Sequence, residues 1–207
     1  LFKLPYRCVS ADINENQLPD ENPIDYVTRL ALQKGEAINA ENLVLSADTI
    51  VVCEGEVLGK PTNDHEAREM LRRMRGKSHS VLTALALRQK STGLLLQDVC
   101  HTQVLMRSYS DAEIESYIQS GDYRDKAGGY AIQHKAFHPV AAVQGCYANV
   151  MGLPLCNLAC LLQHAGIVVE VDIPQACQPH LGITCEVYPQ ILASCMPVSQ
   201  ANRWDSR

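Results

Sequence analysis

Four acids, Glu15, Asp48, Asp122 and Asp125, and three lysines, Lys34, Lys60 and Lys126, each fall beside a loop or at the end of a strand-like run. Carboxylates in such places can hold a hard cation or take a proton from water, and lysines can hold an anion. Taken singly, each also reads as a solvated surface charge. A lone Asp after a strand caps a turn, and a Lys on a helix lays its stem along the apolar face. The formal net charge of -5 sharpens the question, because the global field does not attract an anionic ligand and only a local cluster of Lys and Arg would hold one.

These residues are carried by elements that the sequence marks out. Tyr6–Ser10 reads as a short strand, followed by the polar loop Asp12-Ile13-Asn14-Glu15. Asn22 before Pro23 opens a helix to about Ala40, with Ile24, Val27, Leu30, Ala31 and Ile38 at helical spacing and Lys34 on or beside that stripe. Leu43–Ala47 is an apolar run of strand length with Asp48 at its carboxyl end, where ligands collect in open α/β sheets. Glu54-Gly55 turns a hairpin that brings Gly59-Lys60-Pro61 back toward Asp48.

Farther on, Asn63 with Glu66 and Ser110 with Glu113 have capping-box spacing, and Gly76 and Gly121 stop the two helices so begun. Ser80–Gln89 and Leu94–Arg107 read as a long hairpin. Asp122–Gly129 is a polar, glycine-containing loop of the kind that binds ligands, and Leu155–His164 is an apolar helix. Val168–Val171 reads as a last strand, and Pro174–Arg207 as a weakly structured tail. The expected fold is α/β, a mixed twisted sheet with helices on both faces.

Composition excludes several classes. With 46% hydrophobic and 20% charged residues, the chain of 207 is neither disordered nor fibrous. No apolar run nears the ~20 residues that span a bilayer, and no signal peptide is legible, so the cytoplasm is the expected compartment and membrane or broad nucleic-acid partners are not expected. Nine cysteines, an odd number without a CxxC pair, read as reduced thiols, and Cys156 and Cys160 as small buried apolar groups. His101, His134 and His138 read as surface or strand-edge residues. The lack of an initial Met, with a strand-like segment almost at once, reads as a truncated beginning.

Four ordered motifs change the weight of the scattered charges: Ser46-Ala47-Asp48-Thr49, Leu58-Gly59-Lys60-Pro61, Asp125 to Gln133 (DKAGGYAIQ) and Asn149-Val150-Met151-Gly152-Leu153-Pro154. In that order they resemble the Maf nucleoside triphosphate pyrophosphatases, over roughly Tyr6 to Ile167. The resemblance implies two lobes around a cleft, like the inosine triphosphate pyrophosphatases in architecture, with a domain over 1–167 and an extension over 168–207. It implies Asp48 as catalytic carboxylate, Glu15 and Asp48 as ligands of Mg²⁺ or Mn²⁺, and Lys34 and Lys60, with Lys126, holding phosphate oxygens. The segment ending in Gln133 is similar to the dTTP/UTP branch, which makes Gln133 and Thr49 the implied specificity residues. A homodimer is implied as well.

One departure is that the family opens with a strand and a Ser-Pro-Arg-Arg loop that nothing here matches. Two other readings stay open on sequence alone: a non-catalytic nucleotide-binding regulator of cell division, and a purine-type pyrophosphatase, against which the Gln133 motif argues.

Overall fold

A computed structural model describes residues 2–195. Its centre is a five-stranded sheet in the order β2-β1-β3-β4-β5. The strands are β1 (Val44–Cys53), β2 (Glu56–Leu58), β3 (Ser78–Gln89), β4 (Leu94–Met106) and β5 (Val140–Gln144). Every described pairing is antiparallel, where a mixture of directions was expected. The difference has two sources. Residues 6–10 form no strand, and β1–β2 and β3–β4 are joined by tight turns, while the longer connections β2–β3 and β4–β5 produce no parallel pair. β5, five residues at the edge of the sheet, carries too short a pattern to be legible beforehand.

Helices cover both faces, as expected. α1 (Pro23–Glu36) lies on the face formed by Ile50, Leu82, Ala84 and Ala86, into which Val27 and Ala31 pack. The alanines of β3 let the helix settle low. Its N-terminus is capped by the Asn22 side chain, which accepts from the backbone N–H groups of Ile24 and Asp25. Its last turn lies hard against β1. A Cβ on Gly35 would lie 2.7 Å from Ser46 Oγ, whose hydroxyl donates to the Ala31 carbonyl at 2.6 Å. Only glycine permits that approach, and the approach brings Lys34 over β1.

The opposite face packs against α2 (Asp64–Met74) and α3 (Asp111–Ser120) through Val51, Val81, Val104, Leu71 and Ile114. Both helices begin at the capping patterns seen in the sequence: Asn63 accepts from Glu66 N, and Ser110 and Glu113 complete a reciprocal box. Farther along that face, Leu85 and Leu87 pack on Leu158, Leu161 and Leu162 of α5 (Leu155–His164). Between them lie the one-turn α4 (Tyr147–Val150) and a 3₁₀ turn over Ala127–Gly129.

The segment after α5 departs from expectation. Val168–Val171 forms no strand, and the expected weak structure is replaced by α6 (Ile173–Leu181) and α7 (Tyr188–Ala193), whose apolar residues join Leu155 and Cys156 in a shared core. Asp172 caps α6 by accepting from Gln175 N at 3.0 Å, and Gly182 ends it in the left-handed region. Cys160 on α5 and Cys195 are paired as a disulfide with Cα atoms 5.2 Å apart, so not all cysteines are thiols; the other seven are free. Residues 196–207 lie outside the described part. No described helix is long and apolar enough to cross a membrane.

His79 on β3 is 2% exposed. Its Nε2 lies 2.8 Å from the Tyr130 hydroxyl, and its Nδ1 has no partner. Burial lowers its pKa to about 4. The folded state therefore keeps His79 neutral where the unfolded chain begins to protonate, and its contribution is intact above pH ~6.5 and lost as pH falls toward 4. We predict that the native protein loses about 2 kcal/mol more than His79→Leu between pH 6.5 and 5, read from urea unfolding at each pH. Parallel losses in both proteins would contradict this.

Candidate active site

β2 pairs only with Val51–Cys53, so among the described residues no strand covers Val44–Ile50 on that edge of β1. Side chains alternate along a strand. Asp48, the register partner of Ala84, therefore points to the α1 face, while Thr49, the partner of Thr83, points to the other. Two adjacent residues of one open edge thus serve opposite sides of the sheet.

On the α1 side the ion pairs converge. Lys34 Nζ contacts the Asp48 carboxylate and lies 2.7 Å from Glu15 Oε1, and Lys60 Nζ lies 3.6 Å from Glu15 Oε2. Exposure grades from the inside outward, with side chains 9% accessible at Asp48, 18% at Lys34, 42% at Glu15 and 55% at Lys60. The loop that carries Glu15 is tied to α1 by side chains the sequence did not single out. The Tyr26 hydroxyl donates to the Glu15 carbonyl at 2.6 Å, and Arg29 Nη2 donates to the Asn16 carbonyl at 3.0 Å. Their spacing on α1 is a faint signal, legible only once the loop is known to fold back on the helix.

The charges act on one another. Burial raises the Asp48 pKa above the usual carboxylate range, against the opposing pull of Lys34. The hydrogen bond from Lys34 holds Glu15 below its usual value. Burial works to lower the pKa of Lys34, yet its bonds to Asp48 and Glu15 together carry it upward. The inner acid is thus the better proton acceptor, and the outer one the more firmly ionised.

Around the edge lies a cleft of about 260 Å³ lined by Asp48, Thr49, Lys60, Lys126 and Gln133, with Gly152 opposite. Five of the seven residues expected at the site therefore meet there, and Glu15 and Lys34 join them through the ion pairs. Gln133 stands exposed in a turn rather than capping a strand. Lys126 Nζ lies 2.6 Å from Asp125 Oδ1, so its charge is partly engaged. Asp122 lies 3.7 Å from His134 Nε2 instead. A larger hollow of about 790 Å³ beside α6 is lined by Glu170 and Asp172 and by no Lys or Arg, which ill suits an anion.

Glu15 and Asp48 both bond to the Lys34 ammonium group, which brings the two carboxylates close together and leaves their other oxygens for a second cation. Two hard oxygen donors fit Mg²⁺ or Mn²⁺, ions that keep several waters and take further oxygens from phosphates. Among the described residues no three His, Cys, Asp or Glu side chains form a metal-binding group.

The model of the Maf-like protein family matches residues 1–165. This chain belongs to the Maf-like family. Its Maf relatives include the dTTP/UTP pyrophosphatase of Anaeromyxobacter dehalogenans, 45% identical over 166 residues, which are 79% of this chain and 85% of that protein. A dTTP/UTP pyrophosphatase of Geobacter sp. strain M21 is 40% identical across 79% of this chain and 86% of its own length. That of Geotalea uraniireducens is 39% identical across 80% and 87%. The resemblance carried by the four motifs is borne out, and those motifs are the segments that meet at the edge of β1.

Lys34→Met should destabilise this Maf protein by about 3 kcal/mol at pH 8, because it leaves the inner carboxylate buried without its counter-ion. In that variant the folded-state pKa of Asp48 lies above its unfolded value. The loss therefore shrinks as pH falls through the raised pKa, and Asp48→Asn in the same chain restores stability. Chemical unfolding at pH 8 and pH 4.5 checks this; an equal deficit at both would contradict it.

Proposed function

We propose that this chain is a cytoplasmic, homodimeric nucleoside triphosphate pyrophosphatase that hydrolyses dTTP and UTP to the monophosphate and pyrophosphate, with Mg²⁺ or Mn²⁺. The observation that carries the reading is the convergence of Glu15, Asp48, Lys34 and Lys60 at the mouth of a cleft that also presents Thr49 and Gln133. The names of the relatives, dTTP/UTP pyrophosphatases at 39–45% identity, support the substrate class. A domain over 1–167 with an extension over 168–207 is part of the same reading, and the family match ends at residue 165.

In this reading Asp48 takes the proton of the attacking water, a role that suits a carboxylate whose pKa burial has raised. The water oxygen bonds to the α-phosphorus, the bond to the β-phosphate bridging oxygen breaks, and pyrophosphate leaves. A divalent cation held by Glu15 and Asp48 would neutralise phosphate charge when bound. Lys60, the most exposed of the four, reaches the phosphate chain, and Lys126 takes it from the other wall of the cleft. Lys34 keeps both carboxylates ionised and aligned, and gives charge to the transferring group. The Gln133 amide, which both donates and accepts, meets the pyrimidine edge together with Thr49.

Pyrophosphate release from dTTP and UTP with Mg²⁺ or Mn²⁺ tests the reading. Asp48→Asn should lower kcat by about a hundredfold to ten-thousandfold, the usual range for losing a general base, while nucleotide binding persists. A folded native protein that binds dTTP and releases no pyrophosphate would contradict the enzyme. Light scattering decides the dimer.

A further inference from the structure

Behind Thr49 runs a chain of buried polar groups that the hydrolysis itself does not use. Thr49 and Thr83 are register partners on β1 and β3, with hydroxyl oxygens 2.8 Å apart. The Thr83 oxygen also lies 3.1 Å from the backbone carbonyl oxygen of Asn149. A carbonyl oxygen only accepts, and a hydroxyl has one proton. With the Thr83 proton given to the Asn149 carbonyl, which also accepts from Gly152 N at 2.9 Å, the bond between the two threonines forms only if Thr49 is the donor. Lone pairs are then all that Thr49 Oγ1 presents to the cleft.

The far end of the chain is equally determined. Asn149 Nδ2 donates to the Val81 carbonyl at 3.0 Å and to Thr102 Oγ1 at 2.9 Å. Thr102 Oγ1 also accepts from Cys146 N at 3.0 Å and donates to the Cys146 carbonyl at 3.1 Å, which uses its one proton and both lone pairs. Flipping the Asn149 amide would set oxygen against oxygen at Val81. Thr83, Thr102 and Asn149 are fully buried, so water does not substitute for any of them. On the cleft side the Thr49 oxygen is left accessible by Gly152, where a Cβ would lie 3.5 Å from it.

We propose that Thr83 is a positioning residue that sets the polarity of base recognition. By holding the Thr49 proton, it makes Thr49 an acceptor, so the cleft selects a base edge that carries a ring N–H, as uracil and thymine do. Cytosine presents a bare ring nitrogen there and would meet Thr49 lone pair to lone pair. The inference rests on the pyrimidine triphosphate hydrolysis proposed above and adds the hydrogen-bond sense that separates one pyrimidine from another.

The test compares kcat/KM for UTP, CTP and N3-methyluridine triphosphate in the native protein, Thr83→Val and Thr83→Ser. The native protein should favour UTP over the other two by about tenfold to a hundredfold, the discrimination an unpaired polar group imposes. Thr83→Val keeps the shape and frees the Thr49 proton, so the UTP-to-CTP ratio should fall about tenfold, mainly through a gain for CTP; Thr83→Ser should keep the native ratio. An unchanged ratio in folded Thr83→Val overturns the proposal. If that variant does not fold, the native protein decides: N3-methyluridine triphosphate turned over as well as UTP overturns it. Failure to hydrolyse UTP or dTTP at all would overturn the hydrolase reading first, and is distinct from hydrolysis of UTP and CTP at equal kcat/KM, which overturns the polarity alone.

Discussion

The site depends on one stretch of strand edge. Because β2 pairs with only the last residues of β1, no described strand covers Val44–Ile50 on that edge, and Ala47, Asp48 and Thr49 of this stretch line the cleft. Alternation along that edge then divides the chemistry. Asp48 turns to the helix side, where α1 supplies Lys34 and the loop pinned to it supplies Glu15. Thr49 turns to the other, where the turn carrying Gln133 and the bend at Gly152 close the cleft. Shifting the register of β1 against β3 by one residue would exchange the two faces and put the carboxylate on the side where Thr49 now stands.

The charge balance of this arrangement suits a ligand that arrives with a cation. Two carboxylates and two ammonium groups nearly cancel, so the site itself adds nothing to the -5 of the chain. A bare triphosphate would meet a neutral site on an acidic protein, whereas a triphosphate carrying a divalent cation has much of its charge already neutralised. The gradient of exposure from Asp48 out to Lys60 adds a second asymmetry. Interactions strengthen toward the inner carboxylate, where the dielectric is lowest, and the outer lysine is the most exposed of the four.

What the sequence made legible was mostly local. Capping pairs at Asn63 and Ser110 mark helix starts because cap and recipient lie within three residues. The hairpins follow from turn residues between alternating runs. Four ordered motifs located Asp48, Lys60, Gln133 and the Asn149 bend, although each charge alone was ambiguous. The polar chain behind Thr49 was out of reach, since Thr49 and Thr83 are 34 positions apart and Thr83 and Asn149 are 66. The strand expected at Tyr6–Ser10 finds no partner among the described residues to take its backbone groups, and Tyr6 and Val9 are exposed. The helices of the tail were hidden by their prolines, which at Pro174 and Pro189 stand in the first turn, where proline starts helices rather than breaking them.

The division of the nucleotide across the edge of β1 is tested most directly by a crystal structure with a non-hydrolysable α,β-imido analogue of dUTP and Mg²⁺. The account predicts the triphosphate beside Asp48, Lys34 and Lys60, and the uracil on the opposite face of the sheet against Thr49 and Gln133. A nucleotide lying wholly on one face, or seated in the acidic hollow beside α6, would contradict it.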